Sequence, residues 1–167
     1  MVDRMYERLS LINDTVFSPA GLAISGYAEE FESKDYAACT FQLNEKSVVC
    51  RDAKITPKKV GQFVTFWIRI DQQPIAPFHQ SDAADFFVVN VSRAGVLGQF
   101  VFPKAVLMEK GIISTNLKEG KRAFRVYPSW DSPTSKQAQQ TQQWQLKYFY
   151  EINADLSLNR VRTFFGE

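Results

Sequence analysis

The sequence predicts a mixed α/β (α+β) fold, a single mixed β-sheet flanked by helices. Three observations carry that prediction. Runs rich in β-branched and aromatic residues (YAACTFQL, SVVCRDAKI, Gln62 to Ile70, DFFVVNVS, GQFVFP) occupy the middle of the chain. Helix signals stand before, between and after them. The chain has 167 residues, 45% hydrophobic and 14% aromatic, enough to bury a core of ordinary size.

In chain order, Met5, Leu9 and Ile12 fall at helical spacing and predict a short amphipathic helix over Asp3–Ile12, broken at Asn13-Asp14-Thr15. Ser18-Pro19 reads as an N-cap followed by proline at the first helical position, which predicts a second helix to about Phe31. YAACTFQL and SVVCRDAKI then form a hairpin around Asn44-Glu45-Lys46, and Pro57 closes its second run. Gln62 to Ile70 is a strand, Asp71 to Ala84 a polar loop, and DFFVVNVS and GQFVFP are strands joined at Arg93-Ala94-Gly95. Gly-Gln-Phe-Val occurs at Gly61 and again at Gly98; it is too short to argue a duplication and fits two strands entering the same kind of sheet.

Pro103 opens a short helix, KAVLMEK, that Gly111 ends. RAFRVY predicts a final central strand. Thr134 and Gln137 form a capping-box pattern that opens a long helix running through WQLKYFYEI, with Trp144, Tyr148 and Ile152 on one face. The six glutamines between Gln137 and Gln145 read as one polar face of that helix. Residues 1–31 are expected as N-terminal helices, 32–152 as the core and 153–167 as a tail whose Phe164-Phe165 packs. Together they make one domain.

Composition excludes several classes of function. The start MVDRMYERLSLI lacks the apolar stretch of a signal peptide, and no run is long enough to cross a bilayer, so a cytoplasmic protein with no membrane contact is expected. Cys39 and Cys50 match no zinc spacing and read as reduced core thiols, with no disulfide-linked partner. His79 is the single histidine, which excludes multi-histidine metal sites and leaves nucleophilic systems without support. GxSxG, HExxH and phosphate-loop patterns are absent from the sequence.

Charge is unevenly spread although the net value is +2. Met1 to Tyr36 holds seven acids against three bases, Arg51 to Arg69 five bases against one acid, and Lys104 to Arg125 six bases against two acids. The basic segments suit phosphate contact through Arg51, Lys58, Lys59, Lys121, Arg122 and Arg125, with nucleic acid the natural partner. The alternative is a non-catalytic protein-interaction or small-molecule-binding module in which these cations pair internally with the acidic N-terminal segment.

The runs AKITPKKVGQFVTFW, GQFVFPKAVL, EGKRAFRVYPSWD and KQAQQTQQWQLKYF, across roughly Glu32 to Ile152, resemble the MepB family of bacterial proteins. That family has no established activity, and the resemblance implies a restriction-endonuclease-like, PD-(D/E)xK-type core. Nucleases of that type place an acid on one strand and (D/E)-x-K on the next, so that acid and lysine leave the same strand face and the carboxylates hold Mg²⁺. The pattern occurs at Glu32-Ser33-Lys34, Asp52-Ala53-Lys54 and Glu119-Gly120-Lys121, and strand context selects the second.

The candidate catalytic set is therefore Glu32, Asp35, Asp52 and Lys54, with Asp52 and Glu32 the metal ligands. The preceding strand reads Tyr36-Ala37-Ala38 where the partner aspartate belongs, so Glu32 or Asp35 must substitute from its start. In the family pattern Arg51 and Lys54 recur whereas an acid at position 52 does not. A degenerate nuclease that binds nucleic acid and a working Mg²⁺-dependent nuclease are both consistent with that reading.

Overall fold

The computed structural model describes residues 5–167; Asp3, in the first expected helix, lies outside the described residues. The first helix is α1 (Glu7–Ile12), and the chain does not break after it. It widens into a π-helical turn over Asn13–Phe17. The strands β1 (Ile24–Glu29), β2 (Cys39–Leu43), β3 (Lys46–Asp52), β4 (Lys54–Thr56), β5 (Lys59–Thr65), β6 (Trp67–Ile68), β7 (Ala76–Pro77), β8 (Phe86–Arg93) and β9 (Val96–Pro103) follow. Then come α2 (Lys104–Glu109), β10 (Ala123–Val126), α3 (Lys136–Gln145), β11 (Phe149–Ile152) and α4 (Leu158–Phe164).

The main sheet is mixed, with six strands in the order β1-β2-β3-β8-β9-β11 among the described residues. Its one parallel pair is β3 with β8; the other neighbours are antiparallel. A second sheet, β10-β5-β4, and the short β6-β7 pair stand apart from it, so the expected single sheet resolves into a main sheet and smaller ones.

Strand alternation gives the main sheet two buried faces. On one, Phe41, Val48, Val88, Val101 and Tyr150 pack with Leu9 and Ile12 of α1, Phe17 of the π turn, and Val161 and Phe165 of the C-terminal segment. Phe165 meets Phe17 edge-on at 5.6 Å, so the tail completes the core begun by the N-terminal helix. On the other face, Phe87, Val89, Phe100 and Phe102 pack with Val64, Phe66 and Val126 of the second sheet region and Leu107 of α2.

Three expected elements are corrected. Residues 18–31 are not a helix: Ser18 is a C-cap whose N–H bonds back to the Asn13 carbonyl at 2.8 Å. Pro19 therefore follows a helix that it cannot continue, instead of opening one. Gly26 then takes a left-handed φ of +60°, where the register of β1 on β2 shifts. RAFRVY is not central, since β10 is an edge strand of the second sheet.

The C-terminal helix is shorter than its pattern suggests. Ser135, one residue beyond Thr134, caps it by accepting from the Ala138 N–H at 3.1 Å. It ends at Gln145, and a tight turn over Leu146–Tyr148 leads into β11 on the edge of β9. The reason is burial: Phe149 belongs to one core and Tyr150 to the other, a division a strand makes and a helix does not.

The two Gly-Gln-Phe-Val segments lie in different sheets but meet the same steric demand. A Cβ on Gly61 would stand 2.6 Å from the Tyr127 ring, and one on Gly98 would stand 2.5 Å from the Phe149 ring. Each glycine seats an aromatic side chain.

Candidate functional site

The acid-x-lysine segment is split by the fold. Asp52 ends β3 in the main sheet, Ala53 is buried, and Lys54 begins β4 in the second sheet. The expectation that Asp52 and Lys54 leave one face of one strand is thus corrected, because the chain passes between sheets at Ala53. Lys54 lays its Nζ 4.9 Å from the centre of the Tyr36 ring.

Asp52 is engaged with neighbours of other kinds. Arg8 Nη1 lies 3.3 Å from its carboxylate, and Asn90 Nδ2 donates to it at 3.0 Å. Burial pushes its pKa up, against the smaller opposing effects of the Asn90 hydrogen bond and the Arg8 charge. The contact extends across the sheet: Asp52, Asn90, Gln99 and Tyr150 are successive register partners on β3, β8, β9 and β11. Gln99 donates to Asn90 Oδ1 at 2.7 Å, and the Tyr150 hydroxyl donates to Gln99 Oε1. A buried rung of hydrogen bonds therefore ends at Asp52 and ties α1 to the sheet through Arg8.

The other expected acids are elsewhere. Glu32 pairs with Arg69 at 3.1 Å, and Asp35 is exposed in the turn Lys34–Tyr36. Among the described residues no three His, Cys, Asp or Glu side chains gather to hold a metal ion. Arg51, expected at a phosphate-facing surface, is fully buried: it forms a two-pronged ion pair with Glu30 at 2.8 and 3.1 Å and lies 5.6 Å from the Phe78 ring centre.

The remaining basic residues diverge. Lys58 and Lys59 are exposed at the β4–β5 turn, beside Arg93 and its partner Asp131. Arg122 is held by Glu119 at 2.9 Å. Arg125 reaches from β10 to Thr56 Oγ1 at 2.7 Å and toward the Val60 and Gly61 carbonyls. Lys121 and Arg125 meet again in a hollow of about 320 Å³ between β10, the end of α2 and the start of α3.

That hollow is basic and aromatic together. Lys110, Lys121 and Arg125 line it with Phe124, Tyr127 and Trp144, and Ser135, Gln137 and Thr141 add polar groups. A second hollow of about 540 Å³ shares Lys110, Gln137, Thr141 and Trp144 with the first and adds Gln140, Gln143 and Lys147. Neither is lined by an acidic residue among those described, and none of Lys110, Lys121 and Lys147 is ion-paired with a described residue. Lys110 Nζ stands 5.4 Å from the Trp144 ring centre.

Local structure explains why these side chains converge. Gly111, with φ of +72°, stops α2 and leaves Lys110 at its end. Gly120 lies so close to the backbone of residues 112–114 that a Cβ there would stand 2.2 Å from the Ile112 carbonyl; this pins the loop, and Lys121 N–H bonds to Ile112 at 2.9 Å.

The glutamines of α3 fix its position. Gln139 donates to the Pro133 carbonyl at 3.0 Å, Gln142 to those of Pro128 and Asp131, and Gln145 to that of Arg125. Trp144 rests against Phe102 at 5.7 Å on one side and lines the groove on the other. The glutamine row is thus two rows, not one polar face. Gln139, Gln142 and Gln145 are clamps at i, i+3 spacing, while Gln137, Gln140 and Gln143 are exposed beside the groove. Lys110, Trp144 and Lys147 are not among the residues expected to bind, because they come together only where α3 docks.

A crystal structure of MepB superposes with a TM-score of 0.77 at 37% sequence identity, covering 90% of this chain and 100% of that one. Curated proteins yield no match. The MepB-like family model matches residues 30–151, close to the span of the motifs read from the sequence, and the chain belongs to the MepB-like family.

Proposed function

We propose that this protein binds nucleic acid in the groove between β10, α2 and α3. The carrying observation is the coincidence of Lys110 and Lys121 with Phe124 and Trp144 in a hollow that no described acid lines. Cations there meet phosphates and release counterions, and aromatic rings offer surfaces on which bases stack. The depression beside Lys58 and Lys59 continues the basic surface, because Thr56, Val60 and Gly61, which line it, are the groups that Arg125 contacts.

The proposal is for binding without turnover. On this reading the main sheet is a restriction-endonuclease-like core whose metal position has been given over to the Arg8–Asp52 ion pair. The support is the splitting of Asp52 from Lys54 and the engagement of Glu32 by Arg69. The whole chain acts as one unit in the cytoplasm, where its ligand is found.

A protein-interaction module is the second reading, favoured by Phe31, 89% exposed beside Trp67 and Ile68. The hollow there is lined by Glu30, Glu32 and Asp71 with Arg69 as the one base, a lining less suited to phosphate than the groove. Anisotropy of labelled oligonucleotides at low and high salt separates the two. Salt-sensitive binding abolished by Lys110→Glu with Lys121→Glu, and indifferent to Phe31→Ser, supports the groove. Absence of salt-sensitive binding removes it in favour of the Phe31 surface.

A further inference from the structure

We infer that the ligand is single-stranded nucleic acid and that one of its bases stacks on the groove side of Trp144. The inference rests on the nucleic-acid reading and narrows it. Trp144, Lys110, Gln137 and Thr141 line both hollows, so the two adjoin at the indole. Their volumes, about 320 and 540 Å³, each leave room for a base with its sugar. Each side has its own cation for a phosphate: Lys121 in the first hollow, Lys147 in the second.

Duplex geometry does not fit this arrangement. In a duplex the base faces are already stacked on one another, so a ring set inside a groove finds no free face. A single strand can splay its bases onto such a ring, and stacking tolerates any sequence because every base has a π-face. Trp144 is suited to that task because Phe102, 5.7 Å away, backs it. Lys110 lies over the indole in the free protein at 5.4 Å; a base arriving there displaces the ammonium toward the adjoining phosphate.

The test is anisotropy with a labelled single-stranded oligonucleotide, as DNA and as RNA, and with the matching DNA duplex, at one salt concentration. The wild-type protein should bind the single strand at least about 10-fold more tightly than the duplex. Trp144→Leu should weaken the single strand about 5- to 100-fold, the loss expected for one stacked base, while Trp144→Phe retains most of the affinity. Lys147→Gln, an exposed substitution that leaves the fold alone, should weaken the single strand and spare the duplex. Thermal melts of each variant separate lost binding from lost folding.

Equal affinity for the two forms, or unchanged single-strand binding in folded Trp144→Leu and Lys147→Gln, overturns this inference while leaving the groove a nucleic-acid site. Failure of the wild-type protein to bind either form overturns the nucleic-acid reading and this inference together.

Discussion

The side chain of Gln145 runs alongside Arg125 as a neighbouring strand would. Its Nε2 donates to the Arg125 carbonyl at 2.9 Å, while its Oε1 accepts from the Tyr127 N–H at 2.9 Å. The open edge of β10 is covered by this one amide, which is completely buried. Gln145→Ala would leave two buried backbone groups without partners and should cost on the order of 3 kcal/mol in urea unfolding. Because α3 would then be loose on β10, oligonucleotide affinity should fall as well. A stability change under about 0.5 kcal/mol would show that water replaces the clamp.

Gly98 is set by contact, since its backbone does not need a left-handed φ. The Phe149 ring fills the space a side chain would take, 2.5 Å from the position of a Cβ. Gly98→Ala should destabilise by about 1–3 kcal/mol through overpacking. Adding Phe149→Leu should recover part of the loss, and additive effects of the two changes would contradict the steric account.

Arg51 tests whether a basic residue in a motif serves binding or the fold. It is 0% exposed and is paired with Glu30, whose side chain is 27% exposed. Glu30→Gln should cost about 3 kcal/mol, the lower end for breaking a buried pair, because Glu30 partly meets water. Oligonucleotide affinity of the folded variant should not change. A loss of affinity without a loss of stability would return Arg51 to the binding surface.

Asp52 makes a prediction about pH. Its native pKa is raised by burial, so over an interval above the ordinary carboxylate value the folded protein holds a proton that the unfolded chain has lost. Unfolding free energy therefore falls as pH rises through that interval: the contribution is present at lower pH and lost above the raised native value. Asp52→Asn keeps an acceptor for Asn90 and removes the penalty. Its stability relative to wild type should increase as pH rises above about 4, the ordinary carboxylate value, measured by urea unfolding across a pH series. A variant that becomes relatively less stable toward neutral pH would mean that the Arg8 ion pair outweighs burial.

Much of the fold was legible because its signals are local. The β2–β3 hairpin turns at Asn44-Glu45, where Asn44 adopts φ of +53°. The β8–β9 hairpin turns at Ala94-Gly95 with both φ values positive, the primed turn that suits strand twist. Elements that depended on partners were not legible. Ser18-Pro19 carries the same letters whether it starts a helix or follows one, and the choice came from Gly21 and Gly26 bending the chain onto β2. Trp144 and Tyr148 are one helical turn apart, yet Phe149 and Tyr150 need opposite faces of the main sheet.

The candidate site was half legible for the same reason. Lys121 and Arg125 were marked by charge, but Arg51 carries the same charge inward to Glu30. Lys110, Trp144 and Lys147 join the groove only through the docking of α3, which no local pattern announces.

The central claim is that phosphates bind at Lys110 and Lys121, and the salt dependence of affinity tests it most directly. For a single strand, each phosphate contact contributes about −0.7 to the slope of log K against log salt concentration. Lys110→Gln with Lys121→Gln should therefore make that slope shallower by about 1.4, with the melting temperature unchanged. An unaltered slope in the folded double variant would contradict the account, and a slope lost instead with Lys58→Gln and Lys59→Gln would move the site to the β4–β5 turn.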